Sequence, residues 1–438
     1  MNRRKFLSAT GSTVATLTAA QYSRVLGAND RLQTAVIGVN GRGRSHIRAV
    51  AANSGMQVAA IVDIDQAVAE KAVAYTKQHQ QETPKEYGDL RDMLADKDID
   101  VVTVATTNHW HALSTIWAVQ AGKDVYCEKP ASHNIWEGRK MVEAARKYKR
   151  IVQVGQQSRS TPYKIEAIRR LREGVIGEVY MAKGLCYKRR KSIGSTQVSA
   201  VPPGVDYDIW LGPAQPYEFK QNRFHYNWHW HWAFGNGDIG NQGVHQMDVA
   251  RWGLGIDHLP EHAYSAGGHY VYDDDQETPN TQHAIFDYGD RQLQFEVRGL
   301  ITGGECRLLE DSGNGAHTIG VLFFGSDGLL TVSGRGFQTY LGEKRIPGPS
   351  MESTREDTTA LHFENFRKAV MSRRLSDLNC DVLEGHLSAA LCHLANISYR
   401  TGDKLLFDSA QERFVGNFGA DTLLSRDYRD PWVVPEEV

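Results

Sequence analysis

Residues 34–43 read TAVIGVNGRG. An apolar strand runs into a turn with glycines at 38, 41 and 43. A dinucleotide-binding fold wants G-x-G-x-x-G at its first strand-to-helix turn: a tight bend, close backbone approach to a pyrophosphate, and close helix packing. Gly38 and Gly43 fill the first and third places. Asn40 takes the second with Gly41 beside it, and asparagine tolerates unusual backbone angles better than most residues. Arg42 lies inside the turn and Arg44 just after it. A structural glycine turn would read the same way, so the surroundings decide.

Outward from this turn, short apolar runs recur at 58–63 (VAAIVD), 100–106 (DVVTVAT), 124–127 (DVYC) and 151–155 (IVQVG), separated by amphipathic segments such as 137–150. Alternation of such runs with helices predicts a buried parallel sheet. Asp63 closes the second run, 20 residues past Gly43. An acid there accepts bonds from both ribose hydroxyls of adenosine and repels a 2'-phosphate, which favours NAD over NADP, although Arg42 and Arg44 could accommodate the phosphate. The predicted organisation is a signal and linker over 1–30, an α/β Rossmann-type domain over 31–155, an α+β domain over 156–410, and a tail over 411–438. The second domain is expected to hold an open, mostly antiparallel sheet, because 283–299 and 321–334 alternate with period two about turn residues.

The 438 residues are 41% hydrophobic and 23% charged with a formal net charge of -2. That balance leaves no basic footprint for nucleic acid, and the KRRK run at 188–191 reads as solvated surface. Five cysteines (Cys127, Cys186, Cys306, Cys380, Cys392) form no C-x-x-C pair, so neither a disulfide framework nor a zinc knuckle is expected. MNRRKFL at the start has twin arginines, Arg3 and Arg4, before a mildly apolar stretch from Ser8 to Ala20. That stretch is too short to cross a hydrocarbon core about 30 Å thick, so no stable membrane insertion is expected. It resembles a twin-arginine (Tat) signal, which implies recognition by the Tat machinery and a periplasmic or otherwise exported protein, folded around its cofactor before export.

The run ATTNHWHALSTIWAVQAGKDVYCEKP (105–130) ends in Glu128-Lys129-Pro130. It resembles the glucose-fructose oxidoreductase / inositol dehydrogenase / MocA family of NAD(P)-dependent sugar enzymes, over roughly residues 31–410. The resemblance implies that Lys129 touches substrate and nicotinamide ribose, that Glu128, Thr106 and Asn108 line the cofactor, and that His109 or His111 lies near the nicotinamide. It carries a substrate-contacting role to Arg159, and it implies a homo-oligomer.

The family's second signature is matched by GNGDIGNQGVHQMD (235–248). Gly235, Gly237, His245 and Asp248 fit, and Asn241 replaces the usual catalytic aspartate. In a regular helix Asn241, His245 and Asp248 share one face. His245 is expected to be the base for a hydroxyl proton, Asp248 to orient its ring, and Asn241 to hold hydroxyls by hydrogen bonds, since an amide transfers no proton near neutrality.

Upstream, RFHYNWHWHWAFGNG (223–237) alternates as a strand would, putting Trp228, Trp230 and Trp232 on one side and His229 and His231 on the other. Tryptophan faces suit the C–H face of a pyranose, and Trp230 and Trp232 are expected substrate contacts, with Tyr187 and Lys188. An aromatic core or oligomer interface fits the same pattern. The H-x-H spacing has no third ligand in frame, so no metal is expected. Three functions compete: an exported oxidoreductase moving hydride between tightly held NAD and a secondary alcohol of a sugar or glycoside, a redox-neutral glycosidase or lyase working through a transient 3-keto sugar, and a non-catalytic sugar or nucleotide binder.

Overall fold

The computed structural model describes residues 31–300 and 317–438. The twin-arginine segment and Cys306 lie outside the described residues; the other four cysteines are buried free thiols. Six strands, β1 (Leu32–Ile37), β2 (Met56–Val62), β3 (Lys85–Tyr87), β4 (Val101–Val104), β5 (Asp124–Cys127) and β6 (Val152–Val154), form a parallel sheet in the order β3-β2-β1-β4-β5-β6. β3 escapes the apolar pattern because it is a three-residue edge strand, Lys-Glu-Tyr, facing solvent. The strand order reverses between β1 and β4, and the crevice beyond their carboxyl ends is where such sheets bind ligands.

Successive residues of β1 face opposite layers. Val36 joins the core under helix Arg42–Ala51, while Ala35 and Ile37 join the core under helices Asn108–Gln120 and Ile135–Lys147. Much of the first layer is closed by the far end of the chain: Phe363 of helix Thr358–Ser372 stacks on Tyr126 with centroids 4.2 Å apart. The expected tail over 411–438 is also built into the fold. Phe414 pairs with Phe407, and Trp432 is buried against Trp110 at 5.3 Å. An aromatic ring near a terminus escapes a reading of periodicity because its partner is remote in sequence.

The second sheet has ten strands: β7 (Val179–Lys188), β8 (His262–Gly268), β9 (Thr281–Asp287), β10 (Gln292–Arg298), β11 (His317–Gly325), β12 (Gly328–Ser333), β13 (Gly336–Leu341), β14 (Ile346–Glu352), β15 (Leu405–Asp408) and β16 (Arg413–Phe414). Their order is β14-β13-β12-β11-β7-β10-β9-β8-β15-β16. Only the β7–β10 pairing is parallel among those described; the rest are antiparallel. One face, with Phe286, Phe295 and Phe323, packs on helices Val244–Leu254 and Val382–Thr401. A Cβ on Gly243 would lie 2.5 Å from Phe295, and one on Gly253 2.1 Å from Phe323. These glycines let the helix carrying His245 settle onto the aromatic rows, which fixes its distance from the sheet. Among the described residues no helix is long and apolar enough to cross a membrane.

The glycine turn has the geometry its sequence predicts at two positions. Gly38 has φ +79°, and its missing Cβ would sit 2.8 Å from the Ala105 carbonyl oxygen; a Cβ on Gly43 would sit 2.1 Å from the Gly38 carbonyl oxygen. Gly43→Ala is therefore expected to push helix Arg42–Ala51 off the turn and lower nucleotide content on purification at least about tenfold, since third-glycine packing sets the pyrophosphate site. Full occupancy, measured by absorbance of acid-released nucleotide, would show that the turn has slack the packing denies.

Candidate active site

A cavity of about 460 Å³ starts at this turn and runs along the carboxyl ends of β1 and β4. Gly38, Asn40, Gly41, Arg42 and Asp63 line it beyond β1 and β2, Thr106, Asn108 and His111 beyond β4, Glu128 and Lys129 beyond β5, and Asn241 from the second domain. No side chain caps helix Arg42–Ala51, and nothing lies within 4 Å of where a Gly41 Cβ would be. A helix N-terminus with open amides and empty space before it suits a phosphate. Asp63 accepts from the Val39 amide at 2.8 Å and the Asp65 amide at 3.1 Å. Burial, opposed by these bonds, pushes its pKa up to about 6.

Several side chains in the cavity wall have partners the sequence conceals. Arg42 does not stand free for a phosphate: its Nε donates to Glu128 Oε1 at 2.7 Å. Glu128 also meets His46 Nε2 and Gln157 Nε2, each at 3.1 Å, and the Lys129 amide at 3.2 Å. Burial favours the neutral acid, but the charge of Arg42 and then the bond from His46 hold Glu128 well below the usual carboxylate range. It ties the E-K-P turn to the glycine-turn helix. Asn108 donates to Asn236 Oδ1 at 3.0 Å. His111 places Nδ1 2.7 Å from the Pro130 carbonyl and Nε2 3.2 Å from that of Thr106. His109 points away, into Trp210 and Phe234.

In the second domain the regular helix face expected for Asn241, His245 and Asp248 is corrected. Ile239–Gly243 is a π-turn, and the α-helix begins at Val244. The wider turn breaks the i, i+4 relation, so Asn241 enters the cavity while its carbonyl accepts Lys129 Nζ at 2.8 Å. Its amide reaches only to Asp238, at 3.4 Å. His245 lines a second cavity of about 420 Å³, with Ser158, Lys164, Gln246 and Glu356. Burial, then the charge of Lys129, holds its imidazole well below the ordinary value, and burial also lowers Lys129.

Asp248 does not orient the His245 ring. It is fully buried and receives Arg159 Nε, 3.0 Å from each carboxylate oxygen, and Ser388 Oγ at 2.7 Å. Arg159, expected at the substrate, is thereby occupied, and its other end pairs with Glu384, which also meets Arg251. The partner of His245 is Gln156, whose Oε1 lies 2.9 Å from Nδ1. Gln156 and Asn236 are the contacts sequence reasoning missed. Gln156 had a signal: it follows the carboxyl end of β6 as Glu128 follows β5.

The aromatic stretch is not a strand. Asn227–Trp230 is a 3-10 turn, because Trp210, Phe219, Phe224, Trp228 and Phe234 gather into a small core of their own. Trp230 packs under Arg190 and Trp232 under Arg400, and neither lines the cavity. Trp228, His225, Tyr226 and His229 line it instead. Tyr187 lies on the outer face of the sheet, its hydroxyl donating to Glu296 at 2.7 Å, and Lys188 is outside the cavity wall as well. The segment before this core forms a strap over the nucleotide end. The Asp206 amide donates to the Ile64 carbonyl at 2.9 Å, the Gln66 amide to that of Gly204 at 3.0 Å, and His225 Nε2 lies 3.1 Å from Asp65.

Known proteins share this organisation. The Gfo/Idh/MocA model described as oxidoreductase family, NAD-binding Rossmann fold, matches residues 32–156, and that of the family's C-terminal alpha/beta domain matches 178–269 and 334–434. Inositol 2-dehydrogenase of Salmonella typhimurium (strain LT2) is 33% identical over 158 residues, covering 36% of this chain and 46% of that protein. A glycosyl hydrolase family 109 protein of Shewanella sp. (strain W3-18-1) is 28% identical over 203 residues, covering 41% and 44%. The chain thus spans about half the length of these relatives. The WlbA dehydrogenase from Bordetella pertussis, solved with NADH and UDP-GlcNAcA, superposes with a TM-score of 0.64 at 19% identity over 86% of this chain and 99% of that one. Levoglucosan dehydrogenase, solved with NADH and levoglucosan, gives 0.65 at 17% over 88% and 99%. At these identities the likeness is one of fold.

Proposed function

This chain belongs to the Gfo/Idh/MocA oxidoreductase family, with an NAD-binding Rossmann domain, and from that premise we propose that it oxidises a secondary hydroxyl of a sugar or glycoside. The observation that carries the reading is the single cavity joining the glycine turn and Asp63 to Lys129 and Asn241. The open helix end suits a pyrophosphate, and Asp63 suits the adenosine ribose. Bound there, NAD supplies the hydride acceptor. Lys129 holds the substrate oxygen as charge develops on it, and neutral His245, steadied by Gln156 and near enough to Lys129 for that charge to lower its imidazole, takes the hydroxyl proton. The strap between the two domains favours a retained cofactor. So does export by the twin-arginine segment, since free NAD is scarce outside the cytoplasm.

Retention favours a second reading, in which the hydride returns to the same substrate and a glycosidic substituent is lost between the two transfers. The similarity to a glycosyl hydrolase family 109 protein supports it. One experiment separates the two. The purified protein, with its nucleotide content measured, is incubated with alkyl and aryl glycosides while nicotinamide absorbance and released sugar are followed. A stoichiometric absorbance change without release supports net oxidation. Catalytic release at constant total NADH supports the second reading, and absence of any affinity for NAD sinks both.

The carboxyl of Asp63 adds a pH signature. It is ionised above its pKa of about 6 and accepts the ribose hydroxyls in that form. NAD affinity is expected to fall as pH drops through this value, approaching about tenfold per pH unit below it. For the nucleotide-free protein the sign is opposite. A carboxyl raised by folding contributes stability at low pH and loses it as pH rises through about 6. Calorimetric titration of NAD into nucleotide-free protein measures the first effect. A flat affinity profile, or one unchanged in Asp63→Asn, would remove Asp63 from the ribose contact.

A further inference from the structure

The strap over the nucleotide end is held from behind by residues 424–432. Ile209 and Trp210 of the strap line the first cavity together with Asp63, Ile64 and Leu90. Their carbonyls accept the indole N–H of Trp110 at 3.0 and 3.2 Å. That ring is backed by Trp432, 2% exposed, which in turn lies under the Arg91 guanidinium, 4.4 Å from its centroid. Where the strap turns at Gly212, with φ +45°, a Cβ would sit 2.3 Å from the Trp110 ring. Arg429 grips the same turn. Its Nε donates to the Gly212 carbonyl at 3.1 Å, Nη2 to the Asp208 carbonyl at 2.7 Å, and Nη1 to the Asp208 carboxylate. Gln215 donates to the Asp427 carbonyl at 3.2 Å.

This segment is tied to the Rossmann domain as well. The Trp136 amide donates to the Leu424 carbonyl at 3.0 Å and the Tyr428 hydroxyl to Glu137 at 3.1 Å, both on helix Ile135–Lys147. The strap therefore has two sets of holds. In front, the Asp206 and Gln66 amides and the His225–Asp65 pair fasten it to the end of β2. Behind, a guanidinium that spends all three nitrogens on one turn fixes it in place, as a planar fork does and a single bond does not. We propose that the segment from Arg426 to Trp432 is a latch, in which Arg429 and Trp432 are positioning residues that hold the strap down on bound nucleotide and so set how slowly it leaves. The proposal rests on the reading of the first cavity as the nucleotide site. Neither side chain lines the first or the second cavity, so both act through the strap. A nucleotide seated between Asp63 and the strap leaves when that wall lifts, and lifting it breaks the holds behind it.

The test loads the purified full chain with NADH and chases it with excess NAD, and the decay of bound-NADH fluorescence gives the release rate. Arg429→Ala is expected to speed release roughly tenfold or more, because three hydrogen bonds to the strap go at once. Asp208→Ala, which removes an exposed carboxylate and opens no hole, is expected to act in the same direction by about threefold. Arg373→Ala is the control. Arg373 donates to Asp124 at 3.0 Å and to the Lys149 carbonyl at 3.1 Å, at the amino end of β5 and away from the cavity, and its loss is expected to leave release at the wild-type rate. Hydrogen exchange in nucleotide-free protein reads the strap directly. The Asp206 and Gln66 amides are expected to exchange roughly tenfold faster in Arg429→Ala than in wild type. Release within about twofold of wild type in either folded variant would overturn the proposal. So would unchanged exchange at the two amides, or an equal acceleration in Arg373→Ala. If the wild-type protein binds no NADH, the nucleotide reading fails; faster exchange at the two amides then leaves the latch standing, and unchanged exchange removes it too.

Discussion

Lys129→Ala is expected to lower kcat/KM on the glycoside that reduces the nucleotide by roughly 100-fold or more, with nucleotide content preserved. The ammonium is half-buried, donates to the Asn241 carbonyl at 2.8 Å, and lines the cavity. A cation screened from water stabilises a developing oxyanion far more strongly than an exposed one. Binding of the adenosine half depends on the glycine turn and Asp63, which the substitution leaves in place, so occupancy is expected to survive. Lys129→Arg is expected not to rescue, since a planar guanidinium cannot replace a compact ammonium at this contact. His245→Ala is expected to cost a similar factor, as loss of a general base does. Because burial and Lys129 depress the imidazole, the acid limb that His245 imposes on kcat/KM is expected below the ordinary histidine range. Steady-state kinetics across pH checks these points, and normal turnover in either alanine variant would remove that residue from the mechanism.

Asp248→Ala is expected to act on stability before it acts on chemistry, at a cost of about 3–5 kcal/mol, because it strips a buried guanidinium of its counter-charge. Arg159 is 6% exposed and Asp248 fully buried, and Ser388 completes the carboxylate's bonds. The network joins the helix carrying His245 to the segment after β6 and to helix Val382–Thr401, so its loss loosens the frame around the site. Chemical denaturation measures the cost. An unfolding midpoint equal to wild type, combined with a large fall in kcat, would return Asp248 to the ring-orienting part that its place in the motif suggests. Arg159→Ala is expected to destabilise to a similar degree.

The parallel sheet, the glycine turn, the placing of Asp63 and Lys129 at strand ends that line the cavity, and the antiparallel hairpins over 283–299 and 321–334 were legible because each is a local matter: strand periodicity, turn chemistry, or spacing within one βαβ unit. The site was legible as a set of residues but less so as an arrangement. Asn241, His245 and Asp248 are correctly spaced for one helix face, yet a π-turn sends Asn241 toward Lys129 and leaves His245 against Gln156. Whether a helix takes an extra residue in one turn depends on what its carbonyls meet outside it, and here one meets a lysine from another domain. Trp230 and Trp232 were misread because alternation along a chain imitates a strand even when a cluster of rings folds it into a 3-10 turn.

What is encoded within a few dozen residues could be read directly: a dinucleotide-type α/β half, a second domain on an open antiparallel sheet, and a lysine, an asparagine and a histidine as candidate site groups. Which groups remain available at the cavity was set by the assembled fold. Arg42 and Arg159 were drawn away by Glu128 and Asp248, and Tyr187 by its place on the outer face of the sheet. His229 was carried into the cavity by the packing of its neighbours. A charged or ring side chain takes the strongest partner within reach once water is excluded, and the identity of that partner is a fact of the assembled fold.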